Sequence, residues 1–374
     1  MSYTISIVGA GITGATIARR LADAGHTSFV YDQRDHVAGN CHTVFDGVAN
    51  CYKHNYGPHI FHTNSSQVLD FVNRFCTLMP YKHEVKSLYA DRVYSLPINL
   101  HTINQFFEKS FTPLEAKDFL QRLGQDHIDP EKSFEAYVLH NLGPELYEAF
   151  FKNYTTKQWG VSPDQIPASV IKRLPIRFNY DSNYFHHTTQ GLPALGYTDM
   201  VEKMLADPLI NCELGKKISF PDIYETSDLL FWSGPIEEVF NYDGGTLPYR
   251  TLDFTHAYVE GDAQGCPVLN FADSDISATR RTQHNYFRST NDVEPIKKSL
   301  ITDEFSRQWE HGDVQYYPVH LNSSNNALGS YQKRAATLNK LHLCGRLGRF
   351  RYIDMDIAIA DALDISDRVV KKLL

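Results

Sequence analysis

Three glycines near the N-terminus, Gly9, Gly11 and Gly14, lie between a short apolar run and a helix-forming stretch in ISIVGAGITG. The first permits a tight turn, the second lets the backbone approach a pyrophosphate, and the third lets the helix pack on the strand. A second apolar run, SFVY at 28–31, ends in Asp32, whose carboxylate can accept a hydrogen bond from a ribose hydroxyl and disfavours a 2′-phosphate. The pattern predicts a strand–helix–strand unit that holds dinucleotide phosphates at a helix N-terminus.

A second segment for the cofactor is predicted near the C-terminus. LHLCGR at 341–346 indicates a buried strand, and a helix is expected from about Asp354, a suitable N-cap, to Lys372. The apolar positions of that helix recur at helical spacing: Ile357, Ala360, Leu363 and Val370. The polar loop after Asp32, with its Gly39–Asn40 step, resembles loops that cover the cofactor in FAD-dependent folds. We therefore predict FAD rather than NAD.

Composition excludes several classes of function. The 374 residues suggest two or three domains, and a net charge of −8 argues against a nucleic-acid or anionic-membrane surface. No signal peptide and no uncharged apolar run of membrane-spanning length is visible. The six cysteines are scattered without a CxxC pair, so we expect reduced thiols in a cytoplasmic protein. His54, His59 and His62 lack a carboxylate or cysteine partner at ligand spacing, and we expect no metal site.

Several shorter patterns place individual elements. KSLYADRVYSL predicts two strands joined by a turn at Ala90–Asp91. SFTPLEAKDFLQRL predicts a helix that starts at Thr112–Pro113, with Glu115 completing the start signal. GYTDMVEKML (196–205) predicts a helix, and SDLLFWSGP (227–235) predicts a buried strand that returns to the cofactor sheet.

The order of these elements predicts an α/β fold: a Rossmann-like FAD-binding domain with a helical insertion and an antiparallel β-sheet insertion. Alternating apolar and polar residues at 170–190 and 247–320 indicate the sheet. We expect the discontinuous FAD-binding domain to comprise residues 1–75, 191–240 and 335–374, and the helical domain to comprise 99–165. The sheet domain is expected to comprise residues 76–98, 166–190 and 241–334.

The middle of the chain combines aromatic and cationic residues. In YTTKQWG, Tyr154 and Trp159 offer flat faces on which a base can lie. In IKRLPIRF, Arg173 and Arg177 would point to the same face of an extended strand, because their separation is even. A guanidinium suits a phosphate, since it donates two hydrogen bonds at once. Three further arginines could serve in the same way: Arg280, Arg281 and Arg346.

Many segments of the chain form a recognisable set: IVGAGITGA, AGNCHT, YGPHIFHTN, SLPINL, YTTKQWG, IKRLPIRF, NYFHHTTQGLP, GYTDMVEKML, WSGPI, YRTL, YYPV and CGRLGRFRYIDMD. The set resembles that of the bacterial UDP-galactopyranose mutases, flavoproteins that interconvert the six- and five-membered ring forms of a nucleotide sugar. The resemblance runs nearly end to end. Its most specific part is YTTKQWG followed by IKRLPIRF and NYF at these spacings.

The resemblance implies roles for individual residues. Arg173 and Arg280 match the arginines that hold the substrate diphosphate, and they would act in catalysis together with His62, which matches a histidine near the flavin. Tyr184, Tyr317 and Tyr352 match tyrosines that donate to the phosphates. The implied substrate-binding residues are Tyr154, Thr155, Trp159, Arg173, Tyr184, Phe185, Asn270, Arg280, Tyr317 and Tyr352. The implied cofactor-binding residues are Gly9, Gly11, Gly14, Asp32, Gly39, Asn40, His59, His62, Arg346, Asp354 and Met355.

The resemblance also implies a mechanism. N5 of reduced FAD attacks C1 of the sugar and expels UDP, and a covalent flavin–sugar iminium forms after ring opening. No side-chain nucleophile is then required, and the flavin is regenerated in its reduced form. NAD(P)H or another reductant would supply the electrons, the substrate would be a UDP-sugar, and the family expectation is a homodimer.

Two other functions remain open at this point: an FAD-dependent oxidoreductase, and a flavoprotein that binds a nucleotide sugar without turnover. The chain also departs from the usual family pattern at Pro58, His83, Ala278 and Arg349. These departures leave the sugar open between galactose, N-acetylgalactosamine, arabinose and another pyranose.

Overall fold

The computed structural model of the chain describes residues 3–172, 174–289, 294–320 and 325–373. Arg173 therefore lies outside the described residues. Within these ranges the chain forms seventeen β-strands and twelve α-helices.

The strands are β1 (Ile5–Val8), β2 (Ser28–Tyr31), β3 (Thr43–Asp46), β4 (Cys51–His54), β5 (Phe61–Thr63), β6 (Leu78–Pro80), β7 (Val85–Tyr89), β8 (Arg92–Leu96), β9 (Thr189–Pro193), β10 (Ile210–Glu213), β11 (Leu229–Trp232), β12 (Tyr249–Glu260), β13 (Val268–Phe271), β14 (Arg280–Gln283), β15 (Lys298–Gln308), β16 (Tyr317–Pro318) and β17 (Leu341–Leu343). The helices are α1 (Ile12–Asp23), α2 (Ser66–Val72), α3 (Leu100–Phe106), α4 (Pro113–Leu123), α5 (Phe134–Leu146), α6 (Asn153–Trp159), α7 (Ser169–Lys172), α8 (Gly196–Leu205), α9 (Phe220–Thr226), α10 (Asn325–Ala335), α11 (Gly345–Gly348) and α12 (Met355–Leu373).

A five-stranded parallel sheet forms the cofactor layer, with the strand order β10-β2-β1-β11-β17. The central strand β1 buries Ile5 and Ile7 completely, and the core around it includes Leu21 of α1 and Ile359 of α12. The strand β11 pairs with β1, so the segment around residue 230 returns to the cofactor sheet as predicted. This is the Rossmann-like α/β arrangement that the glycine pattern predicts.

A seven-stranded sheet forms the second layer, with the order β16-β12-β15-β14-β13-β7-β8. The hairpin β7–β8 turns at Ala90 and Asp91, which have φ values of 49° and 58°, as its predicted two-residue turn requires. The neighbouring pairs in this sheet are antiparallel except β7 and β13, which run parallel. The antiparallel prediction is therefore wrong at that one pair, because the strands come from distant parts of the chain and no hairpin sets their direction.

Helices α3 to α6 form the helical insertion. The start signal of α4 is confirmed, since Thr112 Oγ1 accepts a hydrogen bond from the Glu115 amide and the Glu115 carboxylate accepts one from the Thr112 amide. A π-helical turn, Tyr147–Lys152, joins α5 to α6 and keeps Phe150 buried. Among the described helices, none is both long and apolar enough to cross a membrane.

The segment 166–190 is not a strand of the large sheet, contrary to the alternation pattern. Residues up to Lys172 form α7, and irregular chain then leads to β9, which belongs to a small sheet with β5 and β6. Backbone carbonyl groups here are satisfied by a side chain, because the Arg177 guanidinium donates to the carbonyls of Asn183 and Phe185. The start of the extended strand expected across Arg173 and Arg177 lies outside the described residues. The described residues 174–188, which include Arg177, belong to no strand.

The structure corrects two predictions for the C-terminal segment: the buried strand at 341–346 and the buried position of Ile357 on the last helix. The strand β17 is half-buried and ends at Leu343, because Gly345 adopts a positive φ of 70° and turns the chain into the short helix α11. The helix α12 begins one residue after Asp354, and Leu363 and Val370 are buried as predicted. Ile357, however, is 42% exposed, because it lies on the side of α12 that faces a cleft rather than the core.

We predict that Gly14→Ala destabilises the protein by roughly 2–3 kcal/mol, because overpacking against backbone is costly. A Cβ at this position would lie 1.9 Å from the Gly9 carbonyl oxygen and 3.2 Å from Ile7 Cγ2. The matched control is Gly329→Ala in α10, where a Cβ would meet no atom within 4 Å. Urea unfolding of both variants tests this, and equal midpoints for Gly14→Ala and wild type would contradict it.

Candidate functional site

A cavity of about 590 Å³ opens where β1, β2, β11 and β17 end and where α1 and α12 begin. Gly9 has a φ of +106°, and a Cβ there would lie 2.0 Å from Ser233 Oγ. A Cβ on Gly39 would lie 3.2 Å from the Gly11 Cα, so the polar loop lies directly against the glycine turn. Two helix N-termini and a close-packed glycine turn suit the phosphates of a dinucleotide.

Asp32 and Arg34 line one end of this cavity. The Asp32 carboxylate accepts hydrogen bonds from the Ala10 amide at 2.8 Å and the Arg34 amide at 2.9 Å. Its remaining lone pairs can accept ribose hydroxyls. The Arg34 guanidinium lies 4.6 Å from the Tyr56 ring centre and donates to Asn40 Oδ1 at 2.8 Å.

Arg34 also has a buried polar atom that indicates a ligand-binding site. Its Nη1 has no hydrogen-bond partner among the residues that the structure describes, although the residue lines the cavity. A buried cationic donor without a partner is costly unless a ligand accepts its hydrogen bond. Sequence reasoning passed over Arg34, which follows Asp32 by only two positions and could have been found from that spacing.

The far side of the cavity comes from the C-terminal segment. Arg346 donates to the carbonyl oxygens of Tyr316 at 3.2 Å and Ile353 at 2.9 Å, which fixes its guanidinium. Asp354 and Met355 line the cavity beside it. The sequence-proposed cofactor residues that line the cavity are Gly9, Gly11, Asp32, Gly39, Asn40, His59, Arg346, Asp354 and Met355.

Two proposed cofactor residues lie elsewhere. Gly14 lies beneath the turn, against Gly9 and Ile7, so its contribution is to helix packing. His62 lies in β5, where its ring stacks on Phe185 at 3.9 Å and its Nδ1 is 3.0 Å from His187 Nδ1.

A row of polar side chains crosses the second sheet. Strand register places Asn270 opposite Arg280 and places Arg280 opposite Glu304. Directly opposed residues on neighbouring strands project to the same face, so the three side chains are neighbours. Arg280 Nη2 and Nε lie 2.8 Å and 2.9 Å from Glu304 Oε2. Glu304 is 1% exposed, and its Oε1 has no hydrogen-bond partner within the described part of the chain.

Arg280 is a permanent cation in this setting. Burial alone would lower its pKa, but the charge of Glu304 raises the pKa well above its usual value. Tyr154 and Tyr317 lie within electrostatic reach of the guanidinium, and burial raises the pKa of both hydroxyls. Both tyrosines are therefore protonated near neutral pH and can donate hydrogen bonds to an anion.

Aromatic residues from three segments close this region. The ring centres of Trp159 and Tyr352 are 5.5 Å apart, and Tyr317 lies 6.1 Å from Trp159 and 5.5 Å from Tyr352. The Arg346 guanidinium lies 5.3 Å from the Tyr352 ring centre, which joins this cluster to the dinucleotide cavity. Thr155, on the same helix as Trp159, is buried.

A second cavity of about 620 Å³ begins at Trp159 and Tyr352. Ile353 and Asp354 line both cavities, so the two adjoin each other. Ile357, the exposed residue of α12, lies on its border.

Two histidines near the site, His83 and His59, have lowered pKa values. The ring centre of His83 lies 5.8 Å from that of Phe185, with the two rings nearly parallel, and 5.6 Å from that of Tyr184. Burial lowers the pKa of His83 to about 3, and the Arg280 charge acts in the same direction. Burial lowers the pKa of His59 to about 4. Both rings are therefore uncharged near neutral pH.

The departures from the family pattern have different surroundings. His83 lies within reach of the Arg280 charge, and Ala278 is buried in the loop that precedes Arg280. Arg349 pairs with Asp361 on α12 at 2.7 Å. Pro58 is part of the loop that carries His59, beside Gly57.

Two buried charged residues near the site were missed by sequence reasoning. Glu304 is separated from Arg280 by 24 positions and is found only through strand register. Arg250, 5% exposed, donates to Ser306 Oγ at 3.0 Å and to the carbonyl of Gln158 at 3.3 Å. Its segment, YRTL, was recognised but given no role.

Comparison with known proteins agrees with this geometry. The family model described as UDP-galactopyranose mutase matches residues 149–352, and that of an NAD(P)-binding Rossmann-like domain matches residues 7–75. The chain is 43% identical to the "Probable UDP-galactopyranose mutase" of Klebsiella pneumoniae, over 99% of this chain and 95% of that protein. It is 42% identical to the dTDP-fucopyranose mutase of Escherichia coli, over 98% of each.

Solved structures support the same fold. A reduced UDP-galactopyranose mutase superposes with a TM-score of 0.77 at 17% identity and covers 100% of this chain and 94% of its own. At that identity the likeness concerns the fold, whereas the sequence relatives show the family. The chain belongs to the UDP-galactopyranose mutase family and is an isomerase of the mutase class.

Proposed function

We propose that this enzyme interconverts the pyranose and furanose forms of UDP-galactose, or of a closely related nucleotide sugar, with reduced FAD as a covalent catalyst. The observation that carries the proposal is the position of Arg280. It is a partly buried, permanently charged guanidinium that lies near protonated tyrosines, and the aromatic cluster beside it adjoins a dinucleotide cavity.

The cavity residues fit FAD. A pyrophosphate suits the glycine turn and the helix N-termini of α1 and α12, and it can accept a hydrogen bond from Arg34 Nη1, which has no partner in the described part of the chain. The Asp32 carboxylate suits the hydroxyl groups of a ribose. When bound in its reduced form, FAD would supply a nucleophilic nitrogen, N5, for displacement of the nucleotide at C1 of the sugar. Electrons would come from NAD(P)H or another reductant.

The side chains of this chain hold the substrate and balance its charge. Arg280, and Arg173 by resemblance, bind the diphosphate and stabilise the charge that develops as it leaves C1. Tyr317 donates to the phosphates, and Tyr154 and Trp159 offer faces to the base. The proposed tyrosines Tyr184 and Tyr352 belong to the aromatic groups on either side.

The nucleotide and the sugar are part of the proposal. Relatives of nearly equal identity are named for UDP-galactopyranose and for dTDP-fucopyranose. UDP-galactose is the first candidate and dTDP-fucose the second. We also propose a cytoplasmic homodimer, supported by family resemblance.

We predict that the FAD-loaded protein converts UDP-galactopyranose into its furanose isomer only after reduction with dithionite. Because N5 is regenerated at each turnover, product should exceed enzyme many-fold without stoichiometric consumption of reductant. Chromatography of the products, with dTDP-fucopyranose in a parallel reaction, measures this. Equal turnover by oxidised enzyme, or one NAD(P)H consumed per product, would favour an oxidoreductase. Binding without any turnover would favour the binding-only function.

We predict that Arg280→Ala lowers kcat/KM by roughly 10- to 150-fold, because a charge-assisted hydrogen bond contributes about 1.5–3 kcal/mol. Arg280→Lys should recover only part, since an ammonium lacks the planar fork. The control is Arg281→Ala, which removes the adjacent arginine, paired with Asp303 at 2.6 Å on the other face of the sheet. Steady-state kinetics and flavin occupancy are measured for each variant. A wild-type kcat/KM for Arg280→Ala would contradict the proposed binding of the diphosphate by Arg280.

We predict that Glu304→Gln strengthens UDP binding roughly five- to thirtyfold, because it removes a negative charge beside the diphosphate worth about 1–2 kcal/mol. The amide oxygen can still accept the hydrogen bonds from Arg280. Glu304→Ala should weaken binding, since Arg280 then loses the group that orients it. Calorimetric titration with UDP separates the two effects, and weaker binding in both variants would show that orientation outweighs charge.

A further inference from the structure

Lys157 has an unusual set of partners. Its Nζ lies 2.7 Å from the Phe271 carbonyl oxygen, 2.8 Å from those of Asp273 and Ile276, and 3.3 Å from that of Ala278. An ammonium has three N–H groups, so the four carbonyl oxygens share three donors from one side chain. Lys157 belongs to the YTTKQWG segment. The proposed function gives roles to Tyr154 and Trp159 of that segment but none to the lysine.

The loop that Lys157 holds leads directly into Arg280. It joins β13 to β14, and Arg280 is the first residue of β14. At its end, the Thr279 amide and hydroxyl both donate to the Glu304 carbonyl oxygen, at 2.8 Å and 3.0 Å. The path of this loop therefore determines where the Arg280 backbone enters the site.

Lys157 itself belongs to the helix α6, which carries the candidate nucleoside-binding residues. Lys157 lies on α6 between Tyr154 and Trp159. The same helix is tied to β15 at its C-terminus, because Ser306 Oγ donates to the Gln158 carbonyl at 2.7 Å. Ser306 lies two residues after Glu304 on β15. The attachments through Lys157 and Ser306 therefore reach the strands of the Arg280–Glu304 pair, and Arg250 ties α6 to β12 in addition.

We propose that Lys157 is a positioning residue that couples the nucleoside-binding helix α6 to the diphosphate-binding Arg280. The proposal rests on the proposed function, since it assumes that Arg280 binds the diphosphate. Lys157 itself reaches backbone carbonyl groups, and its effect on the ligand passes through the loop 272–279 and the placement of the guanidinium.

The experiment is a double-mutant cycle on the FAD-loaded protein, with the Kd for UDP measured by calorimetry. We expect Lys157→Met to weaken UDP binding roughly tenfold to a hundredfold, as a misplacement of about 1 Å does at such a site. In the Arg280→Lys background the same substitution should change the Kd by less than about threefold. Binding of uridine, which lacks the diphosphate, should change little, because Tyr154 and Trp159 remain on α6.

The matched control is Lys152→Met, which removes an exposed lysine paired with Glu148 at 2.8 Å on the turn before α6, and it should leave the Kd unchanged. Thermal unfolding checks each variant, and Lys157→Gln enters the same cycle if Lys157→Met does not fold. Equal losses in both backgrounds, or a matching loss of uridine binding, would overturn the positioning role. If the wild-type protein binds neither UDP nor dTDP, the proposed function fails instead.

Discussion

The Arg280–Glu304 ion pair is the constraint to which the rest of the site conforms. Glu304 is buried, and a buried carboxylate is costly unless it is paired; Arg280 meets that requirement from the neighbouring strand. The pairing exists only in one register of β14 and β15, because a shift by one residue would point the two side chains to opposite faces. The second sheet therefore sets the chemistry of the site as well as its shape.

The site is assembled from parts of the chain that are far apart in sequence. Trp159 comes from the helical insertion, Tyr317 from the sheet insertion and Tyr352 from the segment that returns to the cofactor layer. Arg346 contacts this cluster and also lines the dinucleotide cavity. The three parts of the fold thus meet where substrate and cofactor would have to meet.

Local patterns predicted the fold well. The glycine turn, the hairpin at Ala90–Asp91 and the capping box at Thr112 each depend on neighbouring residues, and all three are present. The alternation at 170–190 predicted a strand of the large sheet. In the described part of this segment before β9, β-type backbone pairing is limited to one bridge between Asn183 and Glu84, and the Arg177 side chain donates to two of the carbonyl groups. A period of two in the sequence does not distinguish a strand from such a segment.

The site residues also divide into those that a sequence motif indicates and those that depend on contacts between distant parts of the chain. Resemblance located Arg280 and the aromatic residues, whose roles stay predictions, but it did not locate Glu304 or the contacts of Lys157. Both depend on partners across strands or on backbone carbonyl groups, and neither leaves a pattern of residue types in the sequence. Long-range register is the physical information that a local motif lacks.

The charge balance around Arg280 fits a reversible exchange on the proposed function. Glu304 neutralises the cation before substrate arrives, while His83 and His59 are uncharged and Tyr154 is protonated. A bare arginine in a dry site would hold a diphosphate tightly, whereas a paired one holds it with neutral donors and moderate attraction. In the proposed mechanism the nucleotide leaves C1 and later rejoins it, so a site that binds the free diphosphate too tightly would slow the return step.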